Sequence, residues 1–235
     1  MFGLKRNQNK KSKLKPMGRR LVTISESKSI FSEQFRTIRT NIKFTVPDAV
    51  LNTILVTSSI PGEGKSTTAA NLGVVFAQEG KKVIIVDADM RKPTLHYTFG
   101  LPNRVGLSSI LSKQGTIHEA IQETPIVGLK ILPAGRIPPN PAELLSSISF
   151  DNFLEEMKIN FDLIIFDAPP ILTVSDAQIL ANKCDGTLFI IRSGVVEKEE
   201  ALKAQKILST SQARVLGAVL NNCKMTRNQN YYYYQ

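Results

Sequence analysis

Apolar residues in this chain occur in short continuous runs, which alternate with longer segments of helical spacing. The short runs are TILVTSS, KKVIIVDAD, FDLIIFDAP, GTLFIIRSG and VLGAVLNN. Helices are predicted between them, over 65–80, 141–158, 175–183 and 197–210. Strands that are buried on both faces of a parallel sheet have such continuous apolar runs. The pattern therefore predicts an α/β fold, with a mostly parallel sheet and helices on both of its faces.

A separate helix is predicted before the first strand, over residues 21–46. One apolar stripe runs along it at steps of four and three residues: Phe31, Phe35, Ile38 and Ile42. Pro47 ends this helix, because a proline disfavours helical backbone in the residue before it.

The composition is that of an ordinary globular protein, with 42% hydrophobic and 21% charged residues in a chain of 235. This length suffices for one or two domains with a substantial core. No apolar run approaches the ~20 residues that a membrane span needs, and no apolar signal segment follows the N-terminus. We therefore expect a cytoplasmic protein. Cys184 and Cys223 are too few for a disulfide framework or a zinc site, so both are expected to be reduced structural cysteines.

Positive charge is concentrated at the N-terminus. The net charge of the chain is +10, and residues 1–20 contain eight basic residues and no acid. We expect these residues to form a flexible basic tail. Anionic lipid and nucleic acid are candidate partners for such a tail, and a solvated segment without a partner is the third interpretation. The sequence holds no firm evidence for nucleic acid.

The segment SSIPGEGKST, residues 58–67, has the features of a phosphate-binding loop. It follows a predicted strand and begins a predicted helix, which is the context that such a loop requires. Gly62 and Gly64 allow the tight turn that points backbone N–H groups at phosphate oxygens, and Glu63 lies between them in the same candidate site. The general pattern has a glycine at position 59, where this chain has Ser59.

The residues that follow the loop glycines carry the side chains that a nucleotide requires. Lys65 is expected to reach the outer phosphates, Ser66 to bind Mg²⁺, and Thr67 to assist at the inner phosphates. The dipole of the helix that begins here also favours phosphate.

Polar residues end three of the predicted strands. Asp87 and Asp89 are two positions apart at the end of one strand, so both side chains are expected on the same face. Asp167 ends a second strand, and Asn221 ends the last one, where its amide could contact the adenine edge. Ligands of open α/β sheets bind beyond the carboxyl ends of the strands, and carboxylates suit a hard cation. ATP and Mg²⁺ are the predicted cofactors.

The segments PGEGKST, VDADMRKP and FDAPP together resemble the motifs of the bacterial tyrosine kinases, or BY-kinases, of capsule and exopolysaccharide synthesis. The resemblance covers nearly all of the chain from about residue 25 and is to the Firmicutes type, in which kinase and membrane activator are separate chains. It implies a P-loop fold similar to that of MinD and ParA. The family's Walker A, Walker A′ and Walker B motifs match residues 62–67, Asp87 with Asp89, and Asp167.

The resemblance also implies roles in tyrosine phosphorylation. Lys65 would neutralise charge on the transferred phosphoryl group, and Ser66 with Asp87 or Asp167 would bind the metal. Asp87 is the candidate for assisting loss of the tyrosine proton, with Asp89 and Asp167 around the magnesium. Which aspartate is the base and which the ligand stays open. Arg91 is expected either to support this site or to contact the incoming substrate.

Two further segments match the family. EQFRTIR carries Glu33, Arg36 and Arg39, similar to the ExxRxxR oligomerisation motif on a helix at about 29–45, which implies a ring-shaped homo-oligomer, an octamer in this family. An intrahelical ion pair is the alternative for Glu33 and Arg36. The chain ends in Tyr231, Tyr232, Tyr233 and Tyr234, which resemble the family's autophosphorylation segment. The predicted organisation is a basic tail over 1–20, one kinase domain over 21–223 and a tyrosine-rich tail over 224–235.

Further partners are implied by the resemblance alone. They are the cytoplasmic tail of a membrane-bound activator, protein substrates phosphorylated on tyrosine, and a cognate tyrosine phosphatase. The activator would recruit the kinase to the inner face of the cell membrane. The alternatives are an ATPase switch of the MinD/ParA type and an ATP-binding scaffold. The switches typically have KGGxGK in the loop, where this chain has Ile60 and Pro61.

Overall fold

A computed structural model describes residues 21–46 and 50–223 of the chain. In these residues a seven-stranded sheet has the order β3-β4-β2-β5-β1-β6-β7. Its strands are β1 Thr53–Ser58, β2 Val83–Asp87, β3 Gln122–Glu123, β4 Leu129–Leu132, β5 Leu163–Asp167, β6 Gly186–Arg192 and β7 Val215–Asn221. Only β3 pairs antiparallel to its neighbour, and the other pairs are parallel. The predicted α/β fold is confirmed. The predicted tails over 1–20 and 224–235, including Tyr231–Tyr234, lie outside the described residues.

Ten helices connect and cover these strands in the described part of the chain. They are α1 Val22–Ser25, α2 Ile30–Thr45, α3 Lys65–Ala77, α4 Leu95–Phe99, α5 Leu107–Leu111, α6 Ile117–Ala120, α7 Pro141–Ser146, α8 Ile148–Asn160, α9 Asp176–Lys183 and α10 Lys198–Thr210. None of the described helices is long and apolar enough to cross a membrane.

The sheet has a hydrophobic core on each face. In β2, Ile84 and Val86 belong to the core that contains residues of α5 to α10, whereas Val83 and Ile85 belong to the core formed with α2 and α3. All residues of β1, β2 and β5 are buried. Strands that are covered on both faces need apolar residues at every position, which explains the continuous apolar runs.

Two predicted helices are each divided in the structure. The segment 21–46 forms α1 and α2, because the Ser29 side chain accepts a hydrogen bond from Ser32 N and caps a new helix. The segment 141–158 is divided at Ser147, whose extended backbone and side-chain bond from Phe150 N begin α8. Phe31 also departs from the predicted apolar stripe, since its side chain is 54% exposed.

The sequence pattern did not indicate β3 and β4. β4 has four residues and β3 only two, in a stretch where glycines and prolines interrupt the apolar pattern. β4 pairs with β2, and Leu132 lies opposite Val86. The chain therefore leaves β4 at the same sheet edge where β2 ends, which places a further loop beside the candidate site.

Candidate active site

The loop between β1 and α3 has a backbone that requires glycine. Gly62 and Gly64 have φ angles of +86° and +99°, in the left-handed region that residues with a Cβ disfavour. A Cβ on Gly64 would also lie 2.1 Å from Asn221 Nδ2. Gly64 is the N-cap of α3, so the loop leads directly into a helix N-terminus. Lys65, Ser66 and Thr67 form the first turn of that helix, where phosphate is favoured.

Glu63 shapes this loop from inside the protein. Its buried carboxylate accepts hydrogen bonds from Ile60 N at 2.7 Å and from Arg192 N, at the end of β6, at 3.1 Å. The Asn221 side chain donates to the Glu63 carbonyl at 2.7 Å. Glu63 thus belongs to the loop as predicted, but its side chain is turned away from the loop's outer surface. Asn221 lies against the loop, and its contact with adenine stays a prediction.

Asp87 and Asp167 are neighbours at the ends of adjacent strands. They are register partners in the β2–β5 pair, and both are buried. Asp87 Oδ2 accepts from Thr94 N at 2.9 Å and Leu95 N at 3.0 Å. Burial and, second, the charge of Asp167 raise the pKa of Asp87 well above its ordinary value. A nearby cation would offset the repulsion between the two ionised carboxylates.

The arrangement around Ser66 fits a magnesium ion. Thr94 Oγ1 donates to Ser66 Oγ at 3.1 Å while Thr94 N binds Asp87, so Thr94 brings the hydroxyl and the carboxylate together. Asp87 Oδ1 is buried and has no hydrogen-bond partner among the described residues. The described residues contain no group of three or more His, Cys, Asp or Glu that could hold a metal. Mg²⁺ commonly uses one or two protein carboxylates with water and substrate phosphates, which agrees with this sparse set.

Asp89 occupies a different position from Asp87. It lies two residues beyond β2, so strand alternation does not set its direction as the sequence had suggested. With Lys65 and Ser66 it lines a cavity of about 230 Å³. Asp89 Oδ1 accepts from Lys92 N at 3.0 Å. Partial burial raises the pKa of Asp89, and the Lys92 amide and the Lys65 ammonium partly oppose this effect.

Arg91 binds a partner that the sequence did not reveal. Its Nε and Nη2 donate to the two carboxylate oxygens of Asp176, each at 2.9 Å. Asp176 begins α9 and is fully buried, whereas the Arg91 side chain is 40% exposed. The hydrogen bonds to Asp176 raise the pKa of Arg91. Both expectations for Arg91, support of the site and contact with the substrate, stay predictions. An aspartate in the first turn of a helix is common, so Asp176 carried no distinguishing sequence signal.

The cavity lies between two walls that this ion pair joins. One wall contains Asp89, Lys92 and Thr94, and the other contains Pro169, Pro170, Thr173 and Val174. Arg91 belongs to the first wall, and Asp176 follows the second. The second wall is itself held to β1, because Thr57 Oγ1 donates to Pro169 O at 2.8 Å. A larger cleft of about 580 Å³ lies at the opposite sheet edge, near the start of β2 and β4, away from these residues.

The three residues of the ExxRxxR segment do not point the same way. Arg36 forms an ion pair with Glu33 on the surface of α2 and donates to Ser27 O at 2.9 Å. Arg39 instead turns inward and donates to the Val75 carbonyl, in the last turn of α3, at 2.7 Å. Its guanidinium is 3.9 Å from Glu79. Glu33 and Arg36 are therefore open to a partner, while Arg39 holds α2 against the helix that begins at the phosphate loop.

Comparison with known proteins gives closely related sequences. Residues 51–193 match the family model described as AAA domain. The tyrosine-protein kinase YwqD of Bacillus subtilis is 50% identical, covering 93% of this chain and 92% of YwqD. The putative tyrosine-protein kinase CapB of Staphylococcus aureus is 41% identical, covering 96% of this chain and 97% of CapB.

A solved structure agrees with these relatives. The crystal structure of the chimerical protein CapA2B2 has a TM-score of 0.85 to this chain at 43% identity. The match covers 87% of this chain and 90% of that chain. The family match over residues 51–193 includes the phosphate loop and both aspartate segments.

Proposed function

This chain belongs to the family of bacterial tyrosine-protein kinases, and we propose that its site transfers the γ-phosphoryl group of ATP to tyrosine hydroxyls. The first acceptors are the tail tyrosines of a neighbouring copy of this chain, Tyr231, Tyr232, Tyr233 and Tyr234. One observation supports this most. A glycine loop and a helix N-terminus face a cavity lined by Lys65 and Asp89, beside the buried carboxylates Asp87 and Asp167.

The loop and the buried carboxylates support the proposal that this site binds MgATP. Magnesium, when bound, supplies positive charge at the phosphate oxygens. Ser66, Asp87 and Asp167 are the residues that would hold it. Thr94 bonds both Ser66 and Asp87, Asp167 is the register partner of Asp87, and Asp87 Oδ1 has no hydrogen-bond partner in the described chain. Lys65 neutralises charge on the transferred group. Gly62 to Thr67, with Asn221 behind the loop, position the nucleotide.

We assign Asp89 as the base that takes the proton from the acceptor tyrosine. A tyrosine hydroxyl must lose its proton as it attacks, and the base has to be accessible to it. Asp89 lines the cavity, whereas Asp87 is fully buried and bonded to Thr94 and Leu95. The raised pKa of Asp89 makes it a stronger base than an ordinary aspartate. The geometry therefore favours Asp87 as a metal ligand and Asp89 as the proton acceptor.

The remaining proposals concern assembly and regulation. Glu33 and Arg36 on α2 would contact a neighbouring subunit in a ring, where tails would reach adjoining sites at high effective concentration. Each phosphorylation adds roughly −1.5 to −2 charge, so fully phosphorylated tails would leave and loosen the ring. Equal oligomer sizes of the modified and unmodified proteins in light scattering would contradict this. A membrane activator would recruit the kinase to the membrane, a phosphatase would reset it, and exopolysaccharide synthesis would be the regulated process.

The deciding experiment is a phosphotyrosine blot of purified full-length protein with ATP and Mg²⁺, with and without the activator's cytoplasmic tail. Lys65→Met should lose the signal, whereas Lys206→Met, an exposed lysine on α10, should keep it. The fourfold Tyr231–Tyr234→Phe variant should lose the signal as well. Tyr97→Phe is the matched control, because Tyr97 is a 68% exposed tyrosine within the folded domain.

The outcomes separate the candidate functions. A signal that needs Lys65 and the tail tyrosines supports autophosphorylation of the tail. A signal that survives the fourfold variant but not Tyr97→Phe would move the acceptor to α4. ATP hydrolysis without phosphotyrosine, even with the activator, would favour an ATPase switch, and ATP binding without either activity would favour a scaffold.

A further inference from the structure

Two loops lie beside the site on the side away from the phosphate loop. They are 101–106 and 133–140, between α4 and α5 and between β4 and α7. Because Leu132 is opposite Val86, the second loop begins next to Asp87. It ends at α7, which packs against α9, whose first residue Asp176 binds Arg91. The loop therefore extends from the end of β2 to the helix that follows the second wall of the cavity.

The backbone of the two loops is held in place by hydrogen bonds. Asn103 and Gly135 exchange two of them: Asn103 Nδ2 donates to Gly135 O at 3.0 Å, and Gly135 N donates to Asn103 Oδ1 at 2.7 Å. Ser108 Oγ donates to the carbonyl of Arg136 at 2.6 Å. These bonds fix the residues next to Arg104 and the backbone of Arg136 itself. The two arginines thus extend from one rigid unit.

Both arginines present unpaired positive charge. Arg104 and Arg136 are exposed, and neither guanidinium makes a hydrogen bond or ion pair with any described residue. The two loops contain no aspartate or glutamate. By contrast, the guanidinium groups of Arg36, Arg39, Arg91 and Arg192 all bond to oxygens of the folded chain. Two guanidinium groups that have no partner among the described residues, on loops of which one begins beside Asp87, are suited to bind phosphate, with which arginine forms bidentate hydrogen bonds.

We propose that Arg104 and Arg136 form a phosphotyrosine subsite for a partly phosphorylated tail, an inference that rests on the proposed function. The four acceptors are consecutive, so after the first transfer every further substrate carries a phosphate within a few residues of the next hydroxyl. In an extended chain, residues two positions apart point the same way about 7 Å apart. The subsite holds one phosphate while a neighbouring tyrosine enters the cavity, which favours successive transfers to one tail.

This subsite also limits how long the tail stays. Two guanidinium groups balance the charge of about one phosphate, which is roughly −1.5 to −2 at neutral pH. A tail with several phosphates exceeds that positive charge and is repelled by the nucleotide phosphates. Release after full phosphorylation therefore does not conflict with retention at the intermediate stages.

Peptide binding tests the subsite without catalysis. The probes are the peptide NQNYYYYQ with one phosphotyrosine and the same peptide without phosphate, titrated into the full-length fourfold Tyr231–Tyr234→Phe protein, whose own tail cannot become phosphorylated. We expect the phosphopeptide to bind at least about tenfold more tightly. The Arg104→Ala/Arg136→Ala double substitution should remove this difference. Arg214→Ala is the matched control, because Arg214 is exposed, has no side-chain partner among the described residues and lies at the other end of the sheet, before β7.

Equal affinity of the two peptides for the unsubstituted arginines would overturn the proposal. It would also be overturned if Arg214→Ala reduced the preference for the phosphopeptide as much as the double substitution does, because the attraction would then be unspecific. Anionic vesicles or duplex DNA that bind through Arg104 and Arg136, while the phosphopeptide does not, would reassign the surface. Thermal unfolding should be unchanged in the double variant, since neither side chain has a partner among residues 21–46 and 50–223.

A second readout follows the phosphates by intact mass. In the double variant with an otherwise native tail, the first phosphate should be added at the wild-type rate, and the later ones several-fold more slowly. Equal rates at every step would overturn the proposal. If the wild-type tail accepts no phosphate at all, the proposed autophosphorylation fails, while the peptide titration still decides whether the subsite exists.

Discussion

Burial predicts which partner of the Arg91–Asp176 ion pair can be replaced at the smaller loss of stability. Asp176 is fully buried and Arg91 is 40% exposed, although both take part in the same two hydrogen bonds of 2.9 Å. Removing Arg91 leaves a buried carboxylate without its cation. Removing the charge of Asp176 leaves a guanidinium that can turn toward water. The two substitutions should therefore differ in cost.

The magnitudes can be estimated from these positions. Hydrogen bonds to charged groups contribute roughly 1.5–3 kcal/mol each and do not add fully, and breaking a buried pair costs up to about 3–5 kcal/mol. Because Arg91 is partly solvated, we expect Arg91→Ala to lower the free energy of unfolding by about 2–4 kcal/mol. Asp176→Asn, which keeps one acceptor oxygen, should cost about 1 kcal/mol. The double variant should be more stable than Arg91→Ala alone, since it no longer buries a charge.

Urea unfolding of the four proteins measures this cycle, and Arg91→Lys serves as a variant that keeps the charge but not the bidentate geometry. Both single variants should also lower the rate of phosphoryl transfer by roughly tenfold with a smaller effect on KM for ATP, because Asp89 loses its fixed position while the phosphate loop does not. If Asp176→Asn proves more destabilising than Arg91→Ala, the argument from burial is wrong. If transfer is unaffected in both, the pair does not position Asp89.

Three further predictions concern the loop, the buried carboxylate and the oligomerisation helix. Gly64→Ala, whose Cβ would meet Asn221 Nδ2 at 2.1 Å in a backbone with φ of +99°, should weaken binding of a fluorescent ATP analogue by at least about tenfold; wild-type affinity would contradict this. The raised pKa of Asp87 means that the folded protein holds the proton more tightly than the unfolded chain, so its ionisation costs stability as the pH rises above the ordinary value of 3.8. Asp87→Asn should therefore raise the Tm of nucleotide-free protein at neutral pH, and the Tm difference from wild type should shrink toward pH 4. A Tm difference that does not change with pH would contradict the raised pKa of Asp87. Arg39→Ala should lower the Tm by roughly 2–4 °C, because it leaves the part-buried Val75 carbonyl without its partner. Arg36→Ala should change the Tm much less and reduce the oligomer size, because its bonds to Glu33 and Ser27 are exposed to solvent; a larger Tm loss in Arg36→Ala would contradict these separate roles.

Much of the fold and the centre of the site follow from local sequence features. Continuous apolar runs identify β1, β2, β5 and β6, because strands that are covered on both faces need mostly apolar residues. β7 is also identified by its apolar run, although it lies at the sheet edge and is largely exposed or half-buried. Gly62 and Gly64 indicate the phosphate loop, since few other residues tolerate their φ angles. The position of Asp87 and Asp167 at one edge of the sheet also follows, because parallel strands end at the same edge, whereas their direct pairing depends on the strand order. In each case the deciding interaction is between chain neighbours or is imposed by the sheet as a whole.

Other features depend on contacts between distant residues, which no local pattern records. Asp176 meets Arg91 across 85 positions, and Glu63 meets Arg192 across 129. The inward direction of Arg39 depends on where α3 ends, and the position of Arg104 and Arg136 depends on the unpredicted pairing of β4 with β2. The layers, the phosphate loop and the set of candidate carboxylates follow from the amino-acid sequence, because propensity, periodicity and turn geometry are short-range. The burial of Asp87, the place of Asp89 in the cavity and the lack of partners for Arg104 and Arg136 among the described residues required the folded structure, because strand order and packing between segments far apart in the chain set these properties.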